Sequence, residues 1–212
     1  MITAIILAAG QSKRMGQPKM LLPWGETTVL GQVIETVQRA GVEEILVVTG
    51  GAREQVEEIV RRYAVSSRQN AEYERGEMLS SVQAGLRALI APPRPSPNSQ
   101  NLGRVTEGRV GLAAALIVIG DQPQVQERSV RAVVEAFEAG GSDLVVPSYQ
   151  MRRGHPWLVA RPLWEEILAM SPAESPREFL NRHAGEIQYV NVDTPSILAD
   201  LDTYEEYLKS RP

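Results

Sequence analysis

The stretch TAIILAAGQSKRMGQPK, residues 3–19, decides the fold. Thr3 to Ala8 is a short, continuous apolar run that ends at small residues and Gly10, as expected of a strand covered on both faces. Met1 to Ala9 has no basic leader and gives way to glycine and charged residues, so it reads as a buried strand and not as a signal peptide. After the loop, Val29, Val33, Ile34 and Val37 recur at helical spacing, and Gly41 closes the segment. The order is therefore strand, loop, helix.

Working outward, the pattern repeats. Ile45 to Thr49 reads as a second buried strand stopped by Gly50 and Gly51, and Val56, Ile59, Val60 and Tyr63 mark the helix after it. A weaker strand is expected around Ala64 to Ser67, followed by a helix carrying Leu79, Val82, Leu86 and Leu89. Ala113 to Ile119 is the most apolar strand, and Val130, Val133, Val134 and Phe137 give its helix. Such alternation implies right-handed crossovers and a three-layer α/β/α architecture on a mostly parallel sheet. From Asp143 the pattern loosens into strands at Leu144 to Pro147, Trp157 to Ala160 and Ile187 to Val192. Helices are expected through Leu163 and Ile167, through Phe179, and near Tyr204 to Leu208. Residues 92–111, rich in proline, serine and asparagine without periodicity, read as a surface insertion.

The 212 residues, 43% of them hydrophobic, suit one domain spanning 1–212. It is expected to divide into a first half, 1–125, and a substrate-side half, 126–212, joined to the same sheet. A net charge of -4 offers no general basic field for nucleic acid, so a polyphosphate needs a local cluster of cations. With no cysteine, disulfides, thiolate nucleophiles and cysteine-containing zinc sites are excluded, and two histidines argue against a histidine-rich metal site. No apolar run approaches the roughly 20 residues that span a bilayer, so no membrane partner is expected and the cytoplasm is the default location.

In an open α/β sheet, ligands sit beyond the carboxyl ends of the strands. Leu7, Ala8, Ala9 and Gly10 stand there. Their small side chains let backbone N–H groups approach a phosphate chain, while Arg14 and Lys19 bring positive charge to its oxygens. The Walker-type loop and the dinucleotide fingerprint are both absent. Asp121 follows the most apolar strand directly in Gly120-Asp121-Gln122-Pro123. Its position suits a hard cation such as magnesium, which takes one or two carboxylates plus substrate phosphates, and equally suits a cap for the next helix.

The run LAAGQSKRMGQPKMLLPWG (7–25) closely resembles the signature of the MobA-like nucleotidyltransferases, in particular those that use CTP on the molybdenum cofactor. Asn70, GEMLSSVQAGL (76–86), IGDQPQV (119–125), RGHPWL (153–158) and VNVDTPSILADLDTYEEY (190–207) resemble that family's segments in order. The resemblance implies a Rossmann-like nucleotidyltransferase fold, Mg²⁺, a nucleoside triphosphate, and a phosphorylated acceptor of the molybdopterin type, with a molybdoenzyme as a recipient. Ala9, where guanylyltransferase relatives tend to carry glycine, leans toward CTP.

A second metal carboxylate is expected from Asp193, Asp200 or Asp202, each of which also suits a helix N-cap. By resemblance, the family's Asp-x-Asp-Thr-Pro pattern falls on Asp200-Leu201-Asp202-Thr203, with Tyr204 in place of proline, so Asp202 is the first choice. Asn70, Ser80 and Ser81 are expected to read base or ribose, although such residues also make turns. Arg153 and His155 are expected at the acceptor, or else are loop residues beside Trp157. In the implied reaction an acceptor phosphate attacks the α-phosphorus in line and pyrophosphate leaves, with Lys19 near the α-phosphate and Arg14 on the outer phosphates. Rival readings are guanylyl transfer, a sugar phosphate or phospholactate acceptor, and a noncatalytic cofactor carrier.

Overall fold

A computed structural model describes residues 1–12, 15–74, 77–91 and 111–212 of the chain. Most of the expected 92–111 insertion, and Arg14 and Gly76 among the motif residues, lie outside the described residues.

The first apolar run forms strand β1 (Ile2–Ala8), and the alternation of its side chains separates two cores. Ala4, Ile6 and Ala8 face one core, Ile5, Leu7 and Ala9 the other. After β1, a single 3-10 turn (Lys19–Leu21) leads into a short antiparallel hairpin, β2 (Pro23–Trp24) and β3 (Thr27–Thr28). Next come α1 (Val29–Arg39), β4 (Glu44–Thr49), α2 (Arg53–Arg62), β5 (Ser66–Gln69) and α3 (Met78–Ile90). Beyond the insertion lie β6 (Ala114–Ile119), α4 (Glu127–Glu138), β7 (Leu144–Tyr149), β8 (Arg152–Arg153), β9 (Trp157–Ala160), α5 (Trp164–Ala169), α6 (Pro176–Arg182), β10 (Gln188–Asn191) and α7 (Tyr204–Ser210).

The main sheet runs β10-β7-β9-β6-β1-β4-β5. Helices α1, α2 and α4 cover the face of Ile6, while α3, α5 and α6 cover the face of Ile5, which gives the three layers. Leu30 and Ile34 of α1 and Leu79 and Leu86 of α3 are fully buried, and each such side chain stabilises the fold by about 1.5–3 kcal/mol. Among the described residues no helix is long and apolar enough to cross a membrane.

Three features depart from the sequence reading. Strand β9 runs antiparallel to both β6 and β7. The connection 150–156 is too short for a crossover, which takes a dozen or more residues, so the chain must double back. The weak third strand begins at Ser66 and not at Ala64, because the end of α2 consumes the residues before it: Ala64 adopts φ 53° and Val65 N donates to Val60 O. The β2–β3 hairpin went unseen, since two residues per strand leave no periodicity to read.

Candidate active site

Strands β1, β4, β5, β6, β7 and β10 point their carboxyl ends the same way, and a cleft of about 440 Å³ opens beyond β1 and β6. Two glycines allow the close approach that builds its floor. A Cβ on Gly120 would lie 2.8 Å from the Leu7 carbonyl oxygen, and one on Gly50 would lie 2.3 Å from the Ala9 carbonyl oxygen. Gly50→Ala is therefore expected to push the loop after β1 out of place and weaken nucleotide binding about tenfold or more, read by calorimetry against an unchanged circular dichroism spectrum. Gly10 is exposed and a Cβ there would meet nothing, so the space above it is open.

Lys19 begins the 3-10 turn and is aimed by its surroundings. Its backbone N–H donates to Ser12 Oγ at 2.9 Å, and its stem leaves the side chain only 12% exposed. Its Nζ donates to Asp121 Oδ2 at 3.0 Å and to Asp202 Oδ1 at 3.3 Å. One ammonium thus joins two carboxylates from segments far apart in the chain. Burial pushes the Asp121 carboxyl above its usual range; Lys19 pulls it down, and the charge of Asp200 adds to the rise. Asp121 Oδ1 is buried without a hydrogen-bond partner among the described residues. This is a carboxylate short of positive charge.

Asp202 reaches the cleft because the C-terminal arm is fastened there. Leu201 N donates to Asp121 O at 3.2 Å. Glu206 accepts from the backbone of both Asp202 and Thr203, closing a capping box in which Thr203 is the N-cap of α7. Tyr207, 2% exposed, donates from its hydroxyl to Pro23 O at 2.8 Å, and its ring lies 6.5 Å from that of Trp24. Met15, Leu22, Trp24, Val29, Leu201 and Tyr207 form a third, small core that joins the glycine loop to this arm. Tyr207→Phe removes one buried hydrogen bond, and a loss of about 1 kcal/mol is expected in urea unfolding.

Of the residues singled out in sequence, Leu7, Ala9, Gly10, Lys19, Ser81, Asp121 and Asp202 line this cleft. The helix-cap alternatives do not hold: Gln126 is the N-cap of α4 and Thr203 that of α7. Asp193 pairs instead with Arg128 at 2.9 Å on the surface, and Thr194 caps the following turn. Ala8 faces the core of α1, so only its backbone is near the cleft. Asn70 and Ser80 stand behind the cleft wall. The Asn70 amide nitrogen donates to Ser80 Oγ at 2.8 Å and Ser81 Oγ at 3.1 Å, and its oxygen accepts from Glu72 N at 2.9 Å. Every polar atom of that amide is engaged within the protein. Arg14 lies outside the described residues.

Arg153 and His155 are not part of the cleft lining. Arg153 donates to Tyr189 Oη at 2.9 Å and Asn181 Oδ1 at 2.8 Å. His155 retains some exposed surface, but its Nδ1 is enclosed and has no partner among the described residues. Burial lowers its pKa to about 4, with the Ile117 backbone pulling the other way, so the ring is neutral near pH 7. His155 stands just before β9, where its backbone N–H donates to Ile197 O at 2.9 Å.

The cleft also holds Glu77 and Met78, from the segment 76–81 expected beside the loop, and Tyr73 and Glu74, which were not anticipated. The last two come from the turn after β5, where no charge pattern or glycine spacing marks them. Ser12 was visible in the loop, and its role as the acceptor for Lys19 N depends on φ 49° at that residue. Among the described residues no three His, Cys, Asp or Glu side chains gather to hold a metal ion unaided.

Comparison with known proteins bears on this geometry. The model of the MobA-like NTP transferase domain matches residues 4–187. The molybdenum cofactor cytidylyltransferase of Escherichia coli (strain K12) is 27% identical over 99% of this chain and 95% of its own length. A protein of Paenarthrobacter nicotinovorans described as nicotine blue oxidoreductase is 24% identical over 97% of this chain and 94% of its own. The solved structure of a nucleotidyl transferase from Methanothermobacter thermautotroptrophicus superposes with a TM-score of 0.75 and 25% identity, covering 100% of this chain and 96% of that one. Matched in sequence along most of its length and in fold along all of it, the chain belongs to the MobA-like NTP transferase family and is a nucleotidyltransferase.

Proposed function

We propose that the protein transfers CMP from CTP to a phosphorylated acceptor of the molybdopterin type, with Mg²⁺ as the divalent ion and pyrophosphate as the leaving group. The observation that carries the proposal is the Asp121–Lys19–Asp202 constellation at the mouth of the glycine loop. A metal ion fits these residues: Asp121 Oδ1 is a buried oxygen without a partner among the described residues, and Asp202 faces it across Lys19. Two carboxylates with triphosphate oxygens and waters completing the shell make a typical magnesium environment. The ion would supply charge neutralisation on the phosphate oxygens.

The rest falls to the chain's own groups. Backbone N–H groups of the loop from Leu7 to Gly10 hold the triphosphate, and Ser81 lies on the wall where base and ribose would sit. The Lys19 ammonium approaches the α-phosphate, and Arg14 meets the outer phosphates. An acceptor phosphate oxygen forms a bond to the α-phosphorus, and the bond from that phosphorus to the bridging oxygen of pyrophosphate breaks. A phosphomonoester is mostly ionised at neutral pH, with a second pKa of about 6, so no base has to remove a proton. Neutral His155, just before the start of β9, suits an acceptor ring better than a second phosphate. Arg153, held by Tyr189 and Asn181, would have to leave them to meet a phosphate.

The relative described as an oxidoreductase is similar to this chain over 94% of its own length, so chemistry and not fold must carry the test. Pyrophosphate release is the readout. CTP with magnesium and molybdenum-loaded molybdopterin is expected to exceed GTP and other nucleotides. Turnover with a sugar 1-phosphate or phospholactate, and none with the pterin, would replace the acceptor. Metal-independent binding of the pterin without pyrophosphate release would make the protein a carrier.

A further inference from the structure

Lys19 occupies the place where a cation is wanted. Its ammonium lies 3.0 Å from Asp121 and 3.3 Å from Asp202, within the volume that a magnesium ion, with oxygen ligands at about 2.0–2.1 Å, would fill. We infer that Lys19 is a built-in counter-ion that keeps the two carboxylates closed to a free divalent cation until a nucleotide draws it away, so that metal and nucleotide enter together. The inference rests on the metal-dependent transferase reading and adds an order of binding to it.

Three observations carry it. First, an ammonium and a dication repel at close range on these oxygens, most strongly at Asp121, where the Lys19 and Asp121 side chains are 12% and 16% exposed while Asp202 is 43% exposed. Second, the backbone of Lys19 is anchored independently of its head group. Its N–H is held by Ser12 Oγ and its carbonyl by Leu22 N, so the four-carbon stem can redirect the ammonium without unfolding the turn. Third, the loop that would hold the triphosphate starts at the same cleft, lined by Gly10, Gln11 and Ser12. Several phosphate charges arriving there compete for the ammonium. As it turns toward them, it gives up both carboxylates at the moment the phosphate oxygens become available to complete a metal shell. The lysine thus has two partners in succession, the carboxylates and then the phosphate oxygens.

The consequence is testable without turnover. In the full-length protein free of nucleotide, Mn²⁺ uptake, followed by the electron paramagnetic resonance signal of the free ion, is expected to be weak. Adding CTP is expected to tighten it. Lys19→Met, although poor in catalysis, is expected to bind Mn²⁺ without nucleotide about tenfold or more tightly than the parent. Lys19→Arg, which keeps the charge, is expected to show no such gain. Lys19→Gln serves if the Met variant does not fold. The gain is expected to vanish in Lys19→Met combined with Asp121→Asn. If Mn²⁺ binds Lys19→Met no more tightly than the parent, while the parent with CTP takes it up, the gate is overturned and the transferase reading survives. A gain that persists in the double variant places the ion elsewhere and also overturns the gate. No uptake by either protein, with or without CTP, overturns both.

Discussion

Replacing Lys19 by alanine is expected to lower kcat by about 10²-fold or more, as for loss of a preorganised charge that acts where charge develops in the transition state. The side chain is 12% exposed and its backbone is anchored by the Ser12 contact, so only the head group has to turn for it to reach the reaction centre. Its removal has a second effect. Asp121 and Asp202 are left together without their shared cation, and Asp121 already lies above the usual carboxylate range because it is buried. The folded variant therefore favours protonated Asp121 more strongly than the unfolded chain does. Such a group contributes stability below its unfolded pKa and loses it as pH rises through the raised folded pKa. Lys19→Ala is thus expected to melt earlier than the parent near pH 7 and to recover part of the difference as pH falls toward the carboxylate range. Calorimetric melting across pH and steady-state kinetics at saturating CTP separate the two effects; an unchanged kcat would remove Lys19 from the chemistry.

Asp121→Asn is expected to act in the opposite direction on stability. The amide carries no charge, so the burial that raises the carboxyl no longer counts against the folded state above that pKa. The melting temperature near pH 7 should equal or exceed that of the parent, as is common when a site is built for function at the expense of stability. Turnover should fall about 10²-fold or more, because the oxygen proposed to face the ion is lost or weakened. Mg²⁺-dependent tightening of CTP binding, measured by calorimetry, should disappear with it. A variant that still tightens CTP with magnesium would show that the carboxylate at 121 is not the anchor.

The two variants read one arrangement from its two sides. Two carboxylates share one cation, so removing the positive centre strands charge, whereas neutralising one carboxylate leaves Lys19 paired with the other. The same asymmetry underlies the proposed order of binding: whatever takes Lys19 away must bring charge of its own.

Sequence alone determined the layers and the cleft's location. The 2.0 and 3.6 periodicities are local, so β1, α1, β4, α2 and β6 could be read from their own residues, and the crossover rule then placed the loop after β1 beside Asp121. The glycine loop's small residues and Lys19 were legible for the same reason: their chemistry is carried by composition at fixed spacing. Tertiary structure decided what depends on contacts between distant segments. It set Asp202, and not Asp193, against Lys19 through Tyr207 and Trp24, and it turned β9 antiparallel. It also placed Asn70 behind the wall that Ser81 lines. Nothing in a single segment encodes which of three aspartates meets a lysine more than 170 positions away, because that choice is made by burial of side chains the segment does not contain.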